Sequence, residues 1–227
     1  MNKVQSAGFV WRFLSPLPVI WRLHQVGRSF LSPLIAVLNH VPRTSQPDRA
    51  PVLVDLGCGH GIFLALAKHE RPDLDLIGID LSESKIASAR KAFEAAGLDA
   101  SQLAVKDIAD FDPGSADAIT ILDVLYLVPI DQWDGILDKC HAALKPGGAL
   151  LVKEMNRDKK FKFQVLCLEE TLAVKVLHLT TGNNFTFPSP GEIRARIEKA
   201  GFTVEQIPLD RGYHVPHMLW IASKPAN

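Results

Sequence analysis

The chain has 227 residues, with 25 Lys and Arg against 25 Asp and Glu and 47% hydrophobic residues. That length suits one domain, or one domain with an appendage, and the 22% charged fraction excludes a disordered, collagen-like or disulfide-scaffold chain. The zero net charge is a sum of two unlike parts. Residues 1–50 carry Lys3, Arg12, Arg22, Arg28, Arg43 and Arg49 against Asp48 alone, so the remainder holds the matching acidic excess. This balance argues against bulk nucleic-acid binding by the body of the protein. Cys58, Cys140 and Cys167 have neither zinc spacing nor a disulfide pattern, so no metal site is expected and the thiols read as reduced in a cytoplasmic protein. Arg12, Arg22, Arg28, Pro16 and Pro18 interrupt every early apolar stretch, which fits neither a spanning helix nor a signal peptide.

Segment 8–41 is apolar, aromatic and basic, with Phe9, Trp11, Phe13, Trp21, Leu23 and Phe30 set among arginines. Ser32-Pro33 marks a helix start ahead of Leu34, Ile35, Leu38 and Val41, while prolines at 16, 18, 33 and 42 prevent one long helix. Three uses compete for residues 1–45. They are a helical layer or active-site cap on the body, a helix lying on an anionic membrane surface, and a dock for an acidic carrier protein or second subunit.

From residue 51 short β-rich runs alternate with helical patterns. Val52 to Asp55 reads as a buried strand, Ile62 to Glu70 as a helix after a glycine turn, and Leu74 to Asp80 as a second strand. Ser82 is an N-cap for a helix carrying Ile86, Ala89 and Phe93 and ended by Gly97. Leu103 to Val105 and Ala118 to Leu122 read as the third and fourth strands, and Asp131 to Leu144 as the next helix. Lys145-Pro146-Gly147-Gly148 is a tight turn into a fifth strand, Ala149 to Lys153. Such alternation implies βαβ units and a mostly parallel sheet. Ser189-Pro190-Gly191-Glu192 then forms a capping box with proline at the first helical position. Phe202 to Ile207 and Met218 to Ser223 are joined by a loop too short for a helical crossover, so this pair is expected to be antiparallel.

The most informative stretch runs from Val52 to Gly61. A strand delivers the chain into Gly57, Gly59 and Gly61 at alternate positions, and a helix follows, so backbone amides at the helix start can face a nucleotide-like ligand. Asp80 ends the second strand, where a carboxylate can accept from both ribose hydroxyls. Asp107 follows the third strand, where it can accept from an adenine amino group. A dehydrogenase prefers G-x-G-x-x-G around a pyrophosphate, whereas Asp55 here precedes the first glycine and would repel that anion. A ligand bearing an ammonium and a sulfonium is favoured, which points to S-adenosylmethionine.

These residues resemble the class I S-adenosylmethionine-dependent methyltransferases over about residues 50–223. Asp55, Gly57, Cys58, Gly59 and Gly61 match the first family motif, and Asp80 with Leu81 matches the ribose acid and its apolar neighbour. Lys106, Asp107 and Ile108 match the adenine-side motif. Asp123, Val124 and Leu125 match the fourth motif, whose backbone meets the amino-acid end of the cofactor, and Leu144 to Gly148 match a structural turn. The resemblance implies a Rossmann-like α/β fold with a seven-stranded sheet of order 3-2-1-4-5-7-6, its last strand antiparallel, helices on both faces and an N-terminal helical extension. Residues 1–50 are then the extension and 51–227 the methyltransferase domain, with a lid-like insertion at 155–188.

Methyl transfer needs alignment and exclusion of water, and a base only where the acceptor must lose a proton. Glu154, Tyr126, His178 and His214 are the candidate catalytic residues, each also readable as a packing or solvated group. His60 reads as a packing or solvent-facing residue, and His217 as a further base candidate. Phe161, Phe163, Leu166 and Leu172 make the 155–188 insertion apolar, which suits a small or carrier-tethered, largely apolar acceptor better than nucleic acid. O- or C-methylation of such an acceptor in the cytoplasm is expected, as in similar stand-alone bacterial small-molecule methyltransferases. The competing readings are a non-catalytic S-adenosylmethionine-binding subunit and a lipid methyltransferase held peripherally on the inner membrane face.

Overall fold

The computed structural model describes residues 1–43, 49–112, 114–156, 188–213 and 216–226. Its N-terminal part is helical: α1 (Lys3–Phe13), α2 (Val19–Leu31) and the short α3 (Leu34–Leu38). Asn2 and Gln5 form a capping box at the start of α1, and the expected break at Pro16 and Pro18 separates α1 from α2. The body then alternates β1 (Val52–Leu56), α4 (Ile62–Glu70), β2 (Asp75–Asp80), α5 (Glu83–Ala95), β3 (Leu103–Val105), β4 (Ala116–Leu122), α6 (Trp133–Ala143) and β5 (Leu144–Met155). It closes with α7 (Pro190–Lys199), β6 (Thr203–Pro208) and β7 (His217–Ser223). The seven strands form one sheet in the order β3-β2-β1-β4-β5-β7-β6. The first five pair in parallel, and β7 runs antiparallel to both β5 and β6, as expected.

Alternation along each strand sends side chains to two apolar layers. Leu53, Ala118 and Leu151 join Phe63, Leu64, Ile86 and Phe93 from α4 and α5 on one face. Val54, Leu56, Ile119, Ile121 and Val152 join Trp133, Ile136, Ile193 and Trp220 on the other. Each fully buried Leu, Ile or Phe in these layers contributes roughly 1.5–3 kcal/mol. Val10 and Phe13 of α1, Leu14 just after it, and Val37 and Leu38 of α3 share the first layer, and the Phe13 ring meets Phe93 edge-on at 5.6 Å. Helices α1 and α3 are thus packed into the core of the sheet.

Three local differences from the sequence expectation have physical causes. Strand β5 starts at Leu144 rather than after the Lys145–Gly148 turn. Leu144 pairs with Ala116 and Ala149 with Ala118, so the intervening residues form an irregularity within one strand, tied by Gly147 N donating to Lys224 O at 3.1 Å. Helix α6 begins two residues late because Ile130–Gln132 adopt a 3₁₀ turn. Strand β4 begins two residues early and carries the buried Asp117. A charge there is tolerated because its oxygens accept from Arg49 Nη1 at 2.6 Å, Arg49 Nη2 at 2.5 Å, Val52 N at 2.9 Å and Lys145 Nζ at 3.1 Å.

Burial alone would raise the Asp117 pKa, but its cationic and backbone donors hold it down at about 2. The stabilisation it contributes is therefore full above the ordinary carboxylate value and is lost as pH falls toward 2. Asp117→Ala is expected to lower unfolding free energy by about 2 kcal/mol at pH 7. Denaturant titrations at pH 7, 4 and 2.5 should show that difference shrinking at the acid end.

Candidate functional site

The strand order reverses between β1 and β4, and the loops leaving these two strands face each other there. The loop after β1 is the glycine turn. Gly57 N and Cys58 N both donate to Ile79 O at 2.8 Å, and Gly61 N donates to Cys58 O at 2.9 Å. Gly57, Gly59 and Gly61 all have positive φ. At Gly57 a Cβ would stand 2.4 Å from Val124 Cγ2, so this glycine lets the two loops touch. At Gly59 the nearest atom to such a Cβ is Asp80 Oδ2 at 3.9 Å, so there the missing side chain leaves an open cradle beside a carboxylate.

Asp80 is buried at the end of β2, and it holds the turn in shape. Its Oδ2 accepts from Gly59 N at 2.9 Å, and its Oδ1 from Ser82 N at 2.8 Å at the start of α5. Asp55 is buried one strand away and accepts from Thr120 Oγ1 at 2.6 Å. Burial pushes Asp55 up to about 7; the Thr120 hydroxyl opposes this and the charge of Asp80 adds to it. A cation entering beside this pair would relieve both effects. Asp107 is exposed after β3 and caps its own turn through Ala109 N at 2.9 Å. Lys106 is exposed and lies 5.3 Å from the Phe111 ring, Ile108 is buried, and Leu81 stands 69% exposed beside Asp80. Cys58 is buried, which pushes its thiol far above the ordinary range.

The facing loop starts at Asp123, which has φ 57, a left-handed conformation unusual for a side-chain-bearing residue. Glu154 of β5 fixes the next two residues: its Oε1 accepts from Val124 N at 3.0 Å and Leu125 N at 2.7 Å. Burial and the neighbouring Asp123 push Glu154 up to about 8. Tyr126, next in the loop, is 4% exposed. Beneath Asp123 lies the fully buried Lys153, whose ammonium donates to Asp123 Oδ2 and stands 3.5 Å from His217 Nδ1. His217 Nε2 faces Leu31 O of α2 at 3.3 Å, and burial with the Lys153 charge lowers this histidine to about 4. Asp123 Oδ1 is a buried oxygen without a hydrogen-bond partner.

The structure thus brings Asp55, Gly57, Gly59, Gly61, Asp80, Asp123, Val124 and Leu125 together at one edge of the sheet. Glu154 and Tyr126 are there too, built into the framework, while His178, His214 and most of the 155–188 insertion lie outside the described residues. Sequence reasoning missed the Lys153–Asp123–His217 cluster; the signal was a lysine inside the apolar run Leu150-Leu151-Val152 to Met155. His60 Nδ1 is a second buried atom without a partner, and burial lowers His60 to about 4. Orphaned polar atoms around an open glycine cradle with two buried carboxylates fit a ligand carrying both cationic and polar groups.

A family model described as a methyltransferase domain matches residues 54–150. The ubiquinone biosynthesis O-methyltransferase of Pseudomonas aeruginosa is 32% identical over 158 residues, covering 68% of this chain and 66% of that protein, so the chain spans just under two thirds of this relative. Among solved structures, an O-methyltransferase family protein from Burkholderia thailandensis is similar with a TM-score of 0.64 and 23% identity, covering 91% of this chain and 57% of that one. The cyclopropane synthase MmaA2 from Mycobacterium tuberculosis gives 0.66 at 14% identity, covering 88% and 85%.

The clamps on these loops lead to two testable outcomes. Gly57→Ala is expected to cost about 2–4 kcal/mol, from left-handed strain and the Val124 overlap, read as the loss in unfolding free energy. Glu154, protonated over a wider range when folded, gives a contribution that is full below pH 4.5 and lost as pH rises through about 8. Glu154→Gln should flatten the decline in stability between pH 5 and 9 without abolishing it, since Asp55 contributes a similar slope.

Proposed function

We propose that this chain, which belongs to the class I S-adenosylmethionine-dependent methyltransferases, moves the methyl group of S-adenosylmethionine to an oxygen of a small or carrier-tethered, largely apolar acceptor. The observation that carries the reading is the glycine cradle at the β1/β4 reversal, pinned by Asp80 and faced by the Asp123–Leu125 loop. The relative named as an O-methyltransferase supports oxygen as the acceptor atom.

S-adenosylmethionine supplies a methyl group on a positively charged sulfur, a leaving group that departs neutral. In this reading Gly57, Cys58, Gly59 and Gly61 receive its methionine part against backbone. Asp80 with Leu81 takes the ribose, and Lys106, Asp107 and Ile108 line the adenine side. Asp123, through the Oδ1 that accepts no hydrogen bond, and the Val124–Leu125 backbone meet the amino-acid end. Asp55 and Asp80 favour the cation electrostatically, because two carboxylates buried close together are costly without one. Catalysis then rests on alignment of acceptor oxygen, methyl carbon and sulfur, and on exclusion of water from the reacting atoms.

For a hydroxyl acceptor a base must take the proton. Glu154 has its Oε1 committed to two backbone N–H groups, and we assign it to holding the loop. Tyr126 is a buried wall of the same loop. His217 has one ring nitrogen beside Lys153 and the other on Leu31 O, which leaves it a framework role. His178 and His214 are the base candidates for substitution.

Titration calorimetry should show S-adenosylmethionine binding, and no binding at millimolar cofactor would overturn the reading. Asp80→Ala should weaken that binding about tenfold or more, the equivalent of ~1.4 kcal/mol. With methyl-labelled cofactor and cell extract fractionated by polarity, label should enter small apolar compounds. Label entering only nucleic acid or protein would exclude the small acceptor.

A further inference from the structure

Helix α2 is built inside out. A surface helix ordinarily turns its apolar stripe to the core and its charges to water. Here Val19, Leu23 and Phe30 line up on one side of α2 with Ile20, Gly27 and Leu31 beside them, within an arc of about 120°. This side is the exposed one: Val19 is 58% exposed, Ile20 72%, Leu23 56%, Phe30 44% and Leu31 41%. The opposite side, with Arg22, Gln25, Val26 and Ser29, faces the protein. Arg22 stacks its guanidinium 3.8 Å from the Trp11 ring and donates to Trp11 O at 2.8 Å, Ser29 is buried, and Val26 packs on the core. An arginine is thus held inward on a tryptophan while five large apolar side chains stand outward.

The charge carried by the N-terminal segment itself has one sign. The first 47 residues contain no Asp or Glu and carry Lys3, Arg12, Arg22, Arg28 and Arg43. Arg12, Arg28 and Arg43 are exposed, and Trp21, 42% exposed, lies beside the stripe on the flank that also carries Arg28. Apolar side chains to insert, a tryptophan at the flank and cations without carboxylates are the features of a helix that lies in the interface of an anionic bilayer. A second copy of this chain would set the same basic rim against itself, which disfavours self-association through this face.

The helix is also tied to the functional site. Leu31 O, at its C-terminal end, meets His217 Nε2, and through His217 and Lys153 it connects to Asp123. Arg28 lies near enough for its charge to act on both Asp123 and His60. A surface engaging α2 would therefore lie beside the mouth of the site.

We propose that the outward face of α2, formed by Val19, Ile20, Leu23, Phe30 and Leu31 with its arginine rim, docks this protein on an anionic lipid surface. Docking is independent of the chemistry proposed above and can fail while methyl transfer stands. It would place the site where an apolar acceptor partitions.

The test is co-sedimentation of the full chain with vesicles of phosphatidylcholine alone or with 40% phosphatidylglycerol, an amount of about two anionic lipids in five chosen to mimic an acidic leaflet. The protein should pellet with the anionic vesicles and release as salt rises from about 50 to 500 mM, across the range where screening shortens steeply. The double variant Leu23→Glu, Phe30→Glu should lose vesicle binding at least tenfold while keeping S-adenosylmethionine affinity and melting temperature. Should that pair disturb folding, Ile20→Ala with Leu23→Ala is the milder probe, expected to weaken binding several-fold. Absence of pelleting at low salt, equal pelleting of wild type and folded variants, or loss of a dimer rather than of vesicle binding would each overturn the proposal.

Discussion

Two buried carboxylates hold the functional edge of this molecule by gripping backbone rather than side chains. Asp80, at the end of β2, takes Gly59 N and Ser82 N; Glu154, near the end of β5, takes Val124 N and Leu125 N. Each satisfies two N–H groups that would otherwise be orphaned in loops without regular partners. The loops so fixed are the two that face each other where the strand order reverses, and Gly57 lets them meet at Val124. Shape at the site is therefore set by hydrogen bonds with low freedom to rearrange, and the glycines keep the space between them clear.

The same region concentrates uncompensated polarity. Asp55 and Glu154 are pushed up to about 7 and 8, His60 and His217 down to about 4, in each case chiefly by burial. Asp123 combines a left-handed backbone with an oxygen that accepts no hydrogen bond and has only His217 Nδ1 near it, at 4.0 Å. A chain that folds for stability alone would not collect these features at one edge of the sheet. They are tolerated because the layers on either face, from Leu53 and Leu64 to Trp133 and Trp220, are apolar and closely packed. The N-terminal helices add to that stability on one side and, through Leu31 and His217, connect the exposed face of α2 to the polar cluster.

Much of the fold was legible because its signals are local. The glycine turn, the Ser82 and Ser189 caps and the apolar strands are set by φ preference, hydrogen bonding of short polar side chains and periodicity, none of which needs a distant partner. The strand order came from the resemblance rather than from any pattern in the residues. The irregular start of β5 and the early start of β4 were hidden, since both depend on Asp117 meeting Arg49 and Lys145 and on Gly147 meeting Lys224. No property of Asp117 in sequence distinguishes it from a turn residue.

By itself the sequence determined the acids and glycines of the site and their place at strand ends, because spacing along a strand–turn–helix unit fixes which residues reach its edge. It also determined the basic, acid-free character of the N-terminus. Only the tertiary structure decided what each group does. Glu154 became a clamp on backbone, His217 a link between Lys153 and α2, and Lys153 the buried partner of Asp123, since these roles depend on which strands lie side by side. It likewise decided which side of α2 faces water: a helical period fixes an apolar stripe, but packing against Trp11 and the core selects the side that is buried.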